Sequence, residues 1–595
     1  MSKDDFGSFE ESMGGTEEIE VEGAAEGYLE LFRRYNVDYV FGSPGSEYIP
    51  FWEFLAKSSI EGKGPNYVNA RHEGIALAMA KGYTMATGRP QVVLLHVSFG
   101  LLHGAMEIKA LYNDNIPMLI ISGQNITHEE EVWGGSGGPH YLAFTEVGGT
   151  QKLVQHYVKW STAPNTNLNI SYILARVFRV ALSEPKGPVL ILLSRELLFE
   201  KIKKMKMPIK INPPTSIQAD PRALRKLAKL LIEAENPIIY TRYLGRNPNT
   251  VPSLVALADL LSIPVFETPA YMNFPTDHPL HLGYDLTPYL MDADLLLVID
   301  SSGWPPWYPP RSILASSKAK TVFMDVDPAQ LKYPYWGYPA DLLITSDSAL
   351  AVPALIETLK PLVAQTQSSR KKIEERLDRW RIEGERKRAD WRQEALIAKD
   401  GKQIDARWLC YVLNELIDED TIIVNETITH NRIINKYVEK NRVKLGNRFD
   451  GAGASASTGL GQGLGVALGL KLAKPDRTVI ALEGDGCFNY NPVLAGFGLA
   501  QKYHLPFLTI IFDNQSYAAM KHHPKYYSEG WSVRENIYHG VYQEPKPEYT
   551  KLAEAFGGYA EMIEDPEAVK QALTRCLNHV KKGRLALLDV ILPKP

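Results

Sequence analysis

Apolar runs that read as buried strands alternate with helical patterns along the first third of the chain. The runs are DYVFG, QVVLLHV, IPMLIIS and GPVLILL, and segments such as HEGIALAMAKGYTMATG separate them. Nearly continuous Val, Ile and Leu bounded by Gly or Pro is typical of parallel strands in a sheet covered by helices on both faces. The pattern predicts an α/β domain over residues 24–195.

The same alternation returns twice further along the chain. After the Pro-rich stretch KMPIKINPPTSIQADP, the runs NPIIYTRY, IPVFETPA, ADLLLVID and KTVFMDVDP predict a second α/β domain over residues 208–362. Residues 363–402 carry interleaved Glu, Lys and Arg at helical spacings, which predicts a solvated helical linker. A third alternating pattern fills residues 403–595. We therefore expect an α/β protein of three doubly wound, parallel-sheet domains.

Composition narrows the class of protein without naming it. The 595 residues carry a formal net charge of -4, which gives no reason to expect a nucleic-acid partner. Three widely separated cysteines favour a reducing, cytoplasmic location over disulfides or a zinc site. No run reaches the ~18 apolar residues of a membrane span, so no membrane association is expected. Residues 1–23 are acidic and contain Gly and Ser, and we expect them to be a disordered leader.

The stretch ALEGDGCFNY places Asp485 between two glycines at the end of a predicted strand. Asp-Gly alone is common in plain turns. The next predicted strand, LPFLTIIFDN, ends at Asn514, and a right-handed β-α-β crossover brings the carboxyl ends of two such strands together. A carboxylate, an amide oxygen and a backbone carbonyl from the following loop are hard oxygen donors that suit Mg²⁺. The two strand ends therefore predict a magnesium site.

A Gly-rich segment, GAGASASTGLGQGLGVALGLKLA, lies just upstream of that motif. Its glycines allow backbone amides to approach phosphate oxygens at the start of a helix. The loose Gly-x-Gly-x-x-Ala match at residues 451–456 lacks a clear preceding strand. A dinucleotide-binding dehydrogenase is therefore disfavoured.

Three strand ends of the first domain carry polar residues. Ser46 lies in FGSPGSEYIP, Glu73 follows Arg-His at a strand-to-helix turn, and His96 ends QVVLLH. In a parallel sheet all three face one crevice, where they would suit proton transfer. Each also has a plain structural interpretation: a turn serine, an acid favoured at a helix start and a hydrogen-bonded core histidine.

Taken together, these motifs resemble those of the thiamine-diphosphate-dependent enzymes, in the branch of acetolactate synthase, benzoylformate decarboxylase, pyruvate decarboxylase and 2-hydroxyacyl-CoA lyase. GDG is followed by DN after residues 487–512, and RHEGIALAMAKGYTMATGRP is similar to the cofactor-activating segment of that family. The resemblance implies that the three domains bind the pyrimidine, occupy the centre and bind the diphosphate, respectively. It covers about residues 24–590.

The same resemblance implies roles for individual residues. Glu73 would activate the cofactor by hydrogen bonding to its aminopyrimidine ring, and we expect burial to raise the pKa of Glu73. Asp485, Asn514 and the carbonyl of Ser516 would bind Mg²⁺, although Asp513 stands where the family usually has a first Asn. Further residues implied to contact the cofactor are Thr458, Leu460, Gly484 and Gly486.

Substrate-facing roles follow from the benzoylformate decarboxylase pattern. FGSPGSEYIPF and LLHVSFG imply that Ser46 and His96 orient and protonate the substrate-derived intermediates, and His278 stands where such enzymes bring a second histidine. Acetolactate synthases usually carry Gln directly after the activating Glu, whereas this chain has Gly74. His103 receives no role, and we interpret it as structural.

The function implied is thiamine-diphosphate- and Mg²⁺-dependent cleavage or formation of C–C bonds. A 2-oxo acid would lose carbon dioxide, and protonation or carboligation of the enamine would give an aldehyde or a hydroxy ketone. The alternatives are a 2-hydroxyacyl-CoA lyase and a catalytically inactive cofactor-binding subunit. Some relatives bind FAD or ADP in the central domain, but no motif of this chain identifies either nucleotide. A homodimer or homotetramer is implied, because in the family the first domain of one subunit faces the third domain of another.

Overall fold

A computed structural model describes residues 15–124, 148–209, 212–268, 271–301, 319–333, 339–365, 367–444, 459–521 and 523–595. Helices and strands alternate through most of these residues, as the sequence pattern predicts. The strands in chain order are β1 (Thr16–Glu20), β2 (Tyr39–Gly42), β3 (Asn66–Asn69), β4 (Gln91–Leu95), β5 (Met118–Gln124), β6 (Trp160–Thr162), β7 (Pro188–Ser194), β8 (Lys204–Pro208), β9 (Pro237–Thr241), β10 (Val265–Glu267), β11 (Leu295–Ile299), β12 (Lys320–Asp325), β13 (Leu342–Thr345), β14 (Ile422–Glu426), β15 (Val479–Gly484), β16 (Leu508–Asp513), β17 (Tyr559–Ile563) and β18 (Ala586–Ile591).

The helices alternate with the strands along the chain. In chain order they are α1 (Ala24–Arg34), α2 (Ile49–Ile60), α3 (Glu73–Thr87), α4 (Val97–His103), α5 (Ala105–Asn113), α6 (Ile170–Leu182), α7 (Arg195–Phe199), α8 (Pro221–Glu233), α9 (Val251–Leu261), α10 (Ser348–Gln365), α11 (Gln367–Lys399), α12 (Ala406–Leu416), α13 (Asn431–Tyr437), α14 (Gly463–Ala473), α15 (Asp485–Tyr490), α16 (Val493–Lys502), α17 (His523–Tyr526), α18 (Trp531–Arg534), α19 (Tyr549–Glu554) and α20 (Val569–Lys581). Among the described residues, no helix combines the length and the apolarity needed to cross a bilayer.

Three parallel sheets form the framework. The first has six strands in the order β3-β2-β4-β5-β7-β6, the second has five in the order β10-β9-β11-β12-β13, and the third has five in the order β14-β15-β16-β18-β17. Every pair of neighbouring strands within these sheets is parallel. The fold class is therefore confirmed: parallel sheets flanked by helices in three α/β domains.

The strands that read as continuous apolar runs are buried throughout. All residues of β4, β7, β15 and β16 are buried, which explains why these strands lack a polar face in the sequence. A crossover through α15 and α16 joins β15 to β16, so the two strand ends that carry Asp485 and Asn514 are adjacent in the third sheet.

The chain divides into two compact units, which do not coincide with the three sheets. The first contains the described parts of residues 1–215, 456–475 and 491–503, and the second contains the described remainder. In the first unit α3 packs closely on α14, and Gly469 is required there because a Cβ at this position would overlap the backbone carbonyl of Met79. Two helices of the C-terminal third thus belong to the same compact unit as the helix that begins at Glu73.

The N-terminal prediction needs correction over residues 16–20. These residues are not a disordered leader but form β1, which pairs antiparallel with β8. The pairing contributes backbone hydrogen bonds and an ion pair between Lys204 and Glu18, at 2.6 Å, while Met205 and Met207 of β8 are buried. The charge of this segment conceals the strand, because four of its five residues are polar and exposed and only Ile19 packs against the core.

Candidate active site

Glu73 is the first residue of α3, directly after β3. The turn between them contains Arg71, which has φ of 61°, and His72, whose Nδ1 accepts the N–H of Gly74 at 3.0 Å and so caps the helix. The helix therefore begins at Glu73 because the preceding imidazole satisfies one of the free N–H groups of the first turn.

Both carboxylate oxygens of Glu73 have partners from neighbouring elements. Ser43, just after β2, donates its hydroxyl to Oε1 at 2.8 Å, and Nδ1 of His103, the last residue of α4, lies 2.7 Å from Oε2. The ring of His72 lies 4.3 Å from that of His103, centroid to centroid. Glu73 is thus held by a hydroxyl and an imidazole at the end of the first sheet.

These hydrogen bonds reverse the expected shift in the acidity of Glu73. Partial burial raises the pKa of Glu73, as expected from the sequence, but the bonds from Ser43 and His103 favour the charged form and hold the pKa below its ordinary value. The expectation of a raised pKa was therefore wrong. Burial was inferred correctly, but the two donors come from other parts of the chain.

His96 immediately precedes α4 and is paired with a carboxylate that the sequence analysis missed. Its Nδ1 lies 2.9 Å from each oxygen of Glu47, and Oε1 of Glu47 also accepts the N–H of Val97 at 3.3 Å. The Glu47 carboxylate raises the pKa of His96, against the opposing effect of burial. Helix α4 therefore has a histidine at each end, and each imidazole contacts a carboxylate.

The structure buries Glu47, which the sequence analysis did not single out, and exposes its neighbour Ser46, which it did. Ser46 begins a short 3₁₀ turn, Ser46–Tyr48, and is exposed, whereas Glu47 is buried. The hydroxyl of Tyr48 lies 2.7 Å from the carbonyl oxygen of Leu95, which anchors the turn to the end of β4. The hydroxyl in contact with Glu73 belongs to Ser43. The predicted role of Ser46 stays a prediction.

His278 lies in the second unit, after the second sheet's strand β10. Its Nε2 is 3.2 Å from Oδ1 of Asp259, and its Nδ1 accepts the N–H of Leu280 at 3.2 Å. Burial holds the pKa of His278 below its ordinary value, and the nearby Asp259 only partly offsets this effect. These contacts account for His278 within the central domain, and its catalytic role stays a prediction.

The predicted metal ligands converge at the ends of β15 and β16. Asp485 is buried, and its two oxygens accept the N–H groups of Gly486, at 2.8 Å, and Ser516, at 3.0 Å. Asn514 Oδ1 accepts the same Ser516 N–H at 3.0 Å. The crossover thus brings together the residues that the sequence placed in one site.

This donor set fits a hard divalent cation bound to phosphate. It consists of a carboxylate, an amide oxygen and the predicted backbone carbonyl of Ser516, with no sulfur or imidazole among the three predicted ligands. Gly486 lies against the ring of Tyr517, where a Cβ would come within 2.7 Å of a ring carbon. A side chain at position 486 would therefore displace the loop that carries Asn514 and Ser516.

Asp513, the departure from the usual Asn pair, belongs to a buried charged group in the second unit. Lys546 Nζ lies 2.8 Å from Asp513 and 2.9 Å from Asp589 of β18. Burial, reinforced by Asp513, raises the pKa of both Asp485 and Asp589 to about 7. The lysine was missed in the sequence because it lies in a loop 33 positions beyond Asp513, with no motif around it.

The Gly-rich segment is described only in part. Thr458 lies outside the described residues, while Leu460 is partly buried, three positions before the start of α14. The neighbouring Gly459 lies so close to Met106 that a Cβ would overlap the thioether. The cofactor contacts expected for Leu460, Gly484 and Gly486 therefore stay predictions.

Comparison with known proteins identifies the family. Sequence profiles of the thiamine pyrophosphate enzymes match three times: the N-terminal TPP binding domain at residues 23–155, the central domain at 224–367 and the C-terminal TPP binding domain at 433–590. The chain belongs to the thiamine pyrophosphate enzyme family.

Individual relatives are distant but extend over most of the chain. Acetolactate synthase isozyme 3 large subunit of Escherichia coli is 24% identical, over 96% of this chain and 95% of its own length. Benzoylformate decarboxylase of Pseudomonas aeruginosa is 26% identical, over 83% and 86%. The chain is thus similar to proteins named for two different activities.

Solved structures agree on the fold. The 4-hydroxybenzoylformate decarboxylase of Rhodococcus jostii RHA1 superimposes with a TM-score of 0.75 at 22% identity, covering 96% of this chain and 99% of the other. Benzoylformate decarboxylase of Polynucleobacter necessarius gives 0.75 at 19% identity, covering 97% and 99%. At these identities the likeness establishes the fold alone.

Proposed function

We propose that this chain is a thiamine-diphosphate- and Mg²⁺-dependent enzyme that decarboxylates a 2-oxo acid and releases the product after protonation or carboligation. Asp485, Asn514 and the carbonyl of Ser516 would hold Mg²⁺ and the diphosphate. Glu73 would hydrogen bond to the aminopyrimidine ring. When bound, the cofactor supplies a nucleophilic carbon and takes up the electrons left by carbon dioxide.

The observation that carries the metal and cofactor assignment is the shared contact at Ser516. One backbone N–H lies 3.0 Å from both Asp485 Oδ2 and Asn514 Oδ1, so two side chains from different strands are directed to one loop residue. Oxygen donors so arranged suit a cation that bridges protein and phosphate. The raised pKa of Asp485 points the same way, because a bound cation would offset the cost of a buried carboxylate.

Decarboxylation is favoured over acetolactate synthesis by the surroundings of Gly74. A Cβ at this position would lie 2.7 Å from Oε1 of Glu107, a buried residue of α5. The Gln that acetolactate synthases usually carry there therefore has no room unless Glu107 moves. The room around Gly74 therefore supports a decarboxylase over the acetolactate synthase pattern that the resemblance implies.

Calorimetry with thiamine diphosphate tests the cofactor assignment. We expect binding that requires Mg²⁺ and is lost when the metal is chelated. Binding that is equally tight without any divalent cation would contradict the metal site, and no binding at all would contradict the proposed function.

A substrate screen tests the reaction. The protein loaded with cofactor and Mg²⁺ is incubated separately with 2-oxo acids and with 2-hydroxyacyl-CoA thioesters, and the products are identified by mass spectrometry. We expect carbon dioxide and an aldehyde or hydroxy ketone from the 2-oxo acids. Cleavage of the thioesters alone would favour the lyase, and no turnover with tight cofactor binding would favour the inactive subunit.

The proposal includes a homodimer or homotetramer, as the family resemblance implies. Light scattering of the purified protein measures the mass directly, against 66.6 kDa for one chain. A monomer that retains full turnover would contradict this part of the proposal alone.

A further inference from the structure

Glu47 is a buried carboxylate beside a histidine, and no motif of the sequence analysis assigns it a role. It is 2% exposed, whereas the His96 side chain is one-third exposed, at 33%. Its hydrogen-bonding partners are Nδ1 of His96 and the N–H of Val97. A carboxylate is rarely buried this fully unless its charge is paired.

The surrounding backbone leaves the Glu47 carboxylate little freedom. A Cβ at Gly45 would lie 2.5 Å from Oε2, and a Cβ at Gly123 would lie 2.7 Å from Oε1. Both glycines therefore provide space for the carboxylate. Tyr48, the next residue, is anchored by its hydroxyl to β4 and β5, at 2.7 Å from Leu95 O and 3.1 Å from Ile121 O. The residue that carries the carboxylate is thus held next to two strands of the first sheet.

The geometry determines which ring nitrogen of His96 carries the proton shared with Glu47. A carboxylate is an acceptor only, so at 2.9 Å Nδ1 must be the donor. The other nitrogen, Nε2, then remains for chemistry. A histidine oriented in this way by a buried carboxylate is the arrangement found where an imidazole must transfer protons repeatedly through one nitrogen.

We infer that Glu47 is a positioning residue for proton delivery: it holds the proton on Nδ1 of His96, so that Nε2 donates a proton to the substrate carbon that has lost carbon dioxide. This inference rests on the proposed function. In the step, the Nε2–H bond breaks and a C–H bond forms with the electron pair released by decarboxylation. The imidazolium becomes neutral imidazole and regains its proton from water, so no oxidant or reductant is needed.

The charges around His96 support its use as an acid. Those that act on it are Glu47, in direct contact, and Glu73, at longer range from α3. Both favour the imidazolium, and together they outweigh the effect of burial, so the pKa of His96 is raised above its ordinary value. A larger fraction of His96 is then protonated near neutral pH, as a proton donor requires.

The first test needs no cofactor. Of the two forms of a histidine side chain, only the neutral imidazole reacts with diethylpyrocarbonate. The extent of modification of the His96 peptide between about pH 5 and pH 9, measured by mass spectrometry, therefore reports the titration of His96. The exposed His156 is the internal reference in every sample. In Glu47→Gln, which keeps the volume but not the charge, we expect the midpoint for His96 to fall by about one pH unit.

A matched control is Glu53→Gln, which removes a carboxylate from the exposed face of the adjacent helix α2. We expect it to leave the His96 midpoint unchanged. An unmoved midpoint in Glu47→Gln, or an equal shift in both variants, would overturn the inference. If Glu47→Gln does not fold, Glu47→Asp serves instead, since the shorter carboxylate also weakens the contact.

The second test separates positioning from structural support. In Glu47→Gln we expect release of aldehyde to slow about 10- to 100-fold, the alkaline limb of kcat to move to lower pH and the affinity for thiamine diphosphate to stay within about threefold. If Glu47→Gln lowered the affinity for thiamine diphosphate but left the alkaline limb of kcat in place, Glu47 would only support the structure, and the inference would be overturned. A wild-type chain that converts no 2-oxo acid overturns the proposed function and proton delivery together, whereas the modification midpoint still reports the Glu47–His96 pair.

Discussion

Two groups of buried or partly buried carboxylates, one in each compact unit, differ in how their charge is balanced. At the end of the first sheet, Glu73 and Glu47 each face an imidazole at one end of the same short helix, α4. At the end of the third sheet, Asp485, Asp513 and Asp589 are buried together, and Lys546 is the cation paired with two of them.

The difference appears in the acidity of the two groups. Hydrogen bonds from Ser43 and His103 hold the pKa of Glu73 below its ordinary value, whereas burial raises the pKa of Asp485 to about 7. In the first group, Ser43 and His103 thus stabilise the charged form of Glu73, an arrangement that suits proton transfer. The second has more negative charge than the chain compensates, which suits a divalent cation.

Asp485→Ala should have the largest effect, because it removes the carboxylate on which the second group depends. We expect the Mg²⁺-dependent affinity for thiamine diphosphate to fall by about 100-fold or more, measured by calorimetry. Glu554→Gln, which changes an exposed acid of the same unit on α19, is the control and should bind normally. Retained affinity in Asp485→Ala would place the metal elsewhere.

Glu73→Gln tests the first group in the same assay and should give the opposite combination. We expect cofactor affinity within a few-fold of wild type, with turnover reduced by about 10²- to 10⁴-fold because the amide cannot share a proton with the aminopyrimidine. Glu53→Gln on α2 is the matched control. Full turnover in Glu73→Gln would refute the assigned role and remove the functional contrast between the two groups.

Lys546→Met should destabilise the second group by leaving Asp513 and Asp589 buried without their cation. Because Lys546 is itself partly exposed, we expect the free energy of unfolding to fall by only about 1–3 kcal/mol, which a lower melting temperature would reveal. The loss should grow as pH rises through about 7, where Asp589 ionises, and shrink at lower pH, where the carboxyl is protonated.

The variant Lys594→Met removes an exposed partner of Glu544 and serves as control, with little expected change. Combining Lys546→Met with Asp513→Asn should recover part of the loss, since one buried charge is removed with the lysine. Strictly additive losses would show that Lys546 does not act through Asp513.

Ser43→Ala should have the smallest effect, on the acidity of Glu73. Without this hydroxyl the charged form loses a donor, so the pKa of Glu73 rises toward its ordinary value. In the wild-type protein, the lowered pKa of Glu73 contributes stability that is lost as pH falls through that pKa. Part of this contribution disappears in Ser43→Ala. We expect the acidic limb of kcat/KM to move to higher pH, with turnover reduced about threefold. Ser46→Ala, measured in parallel, decides between the structural and the sequence assignment of the hydroxyl.

Local patterns in the sequence predict the sheets, the fold class and the family. Buried parallel strands are apolar on both faces, so β4 and β7 are recognisable without any tertiary information. Asp485 and Asn514 could be joined because a crossover between parallel strands has one preferred hand, which places both residues at the same edge. Glu73 could be predicted as a candidate because HEG and its helix form one continuous segment.

Only the tertiary structure decided the partners of these residues. Glu47 with His96, Ser43 and His103 with Glu73, and Lys546 with Asp513 each join separate elements of the chain. A local pattern specifies where a side chain lies on its own helix or strand, but hydrogen bonds and pKa shifts depend on which elements pack together. For the same reason β1 was missed: its polar residues reveal a strand only when β8 pairs with them. The sequence by itself thus determined the fold class and the principal carboxylates, and the packing of distant segments decided their charge balance.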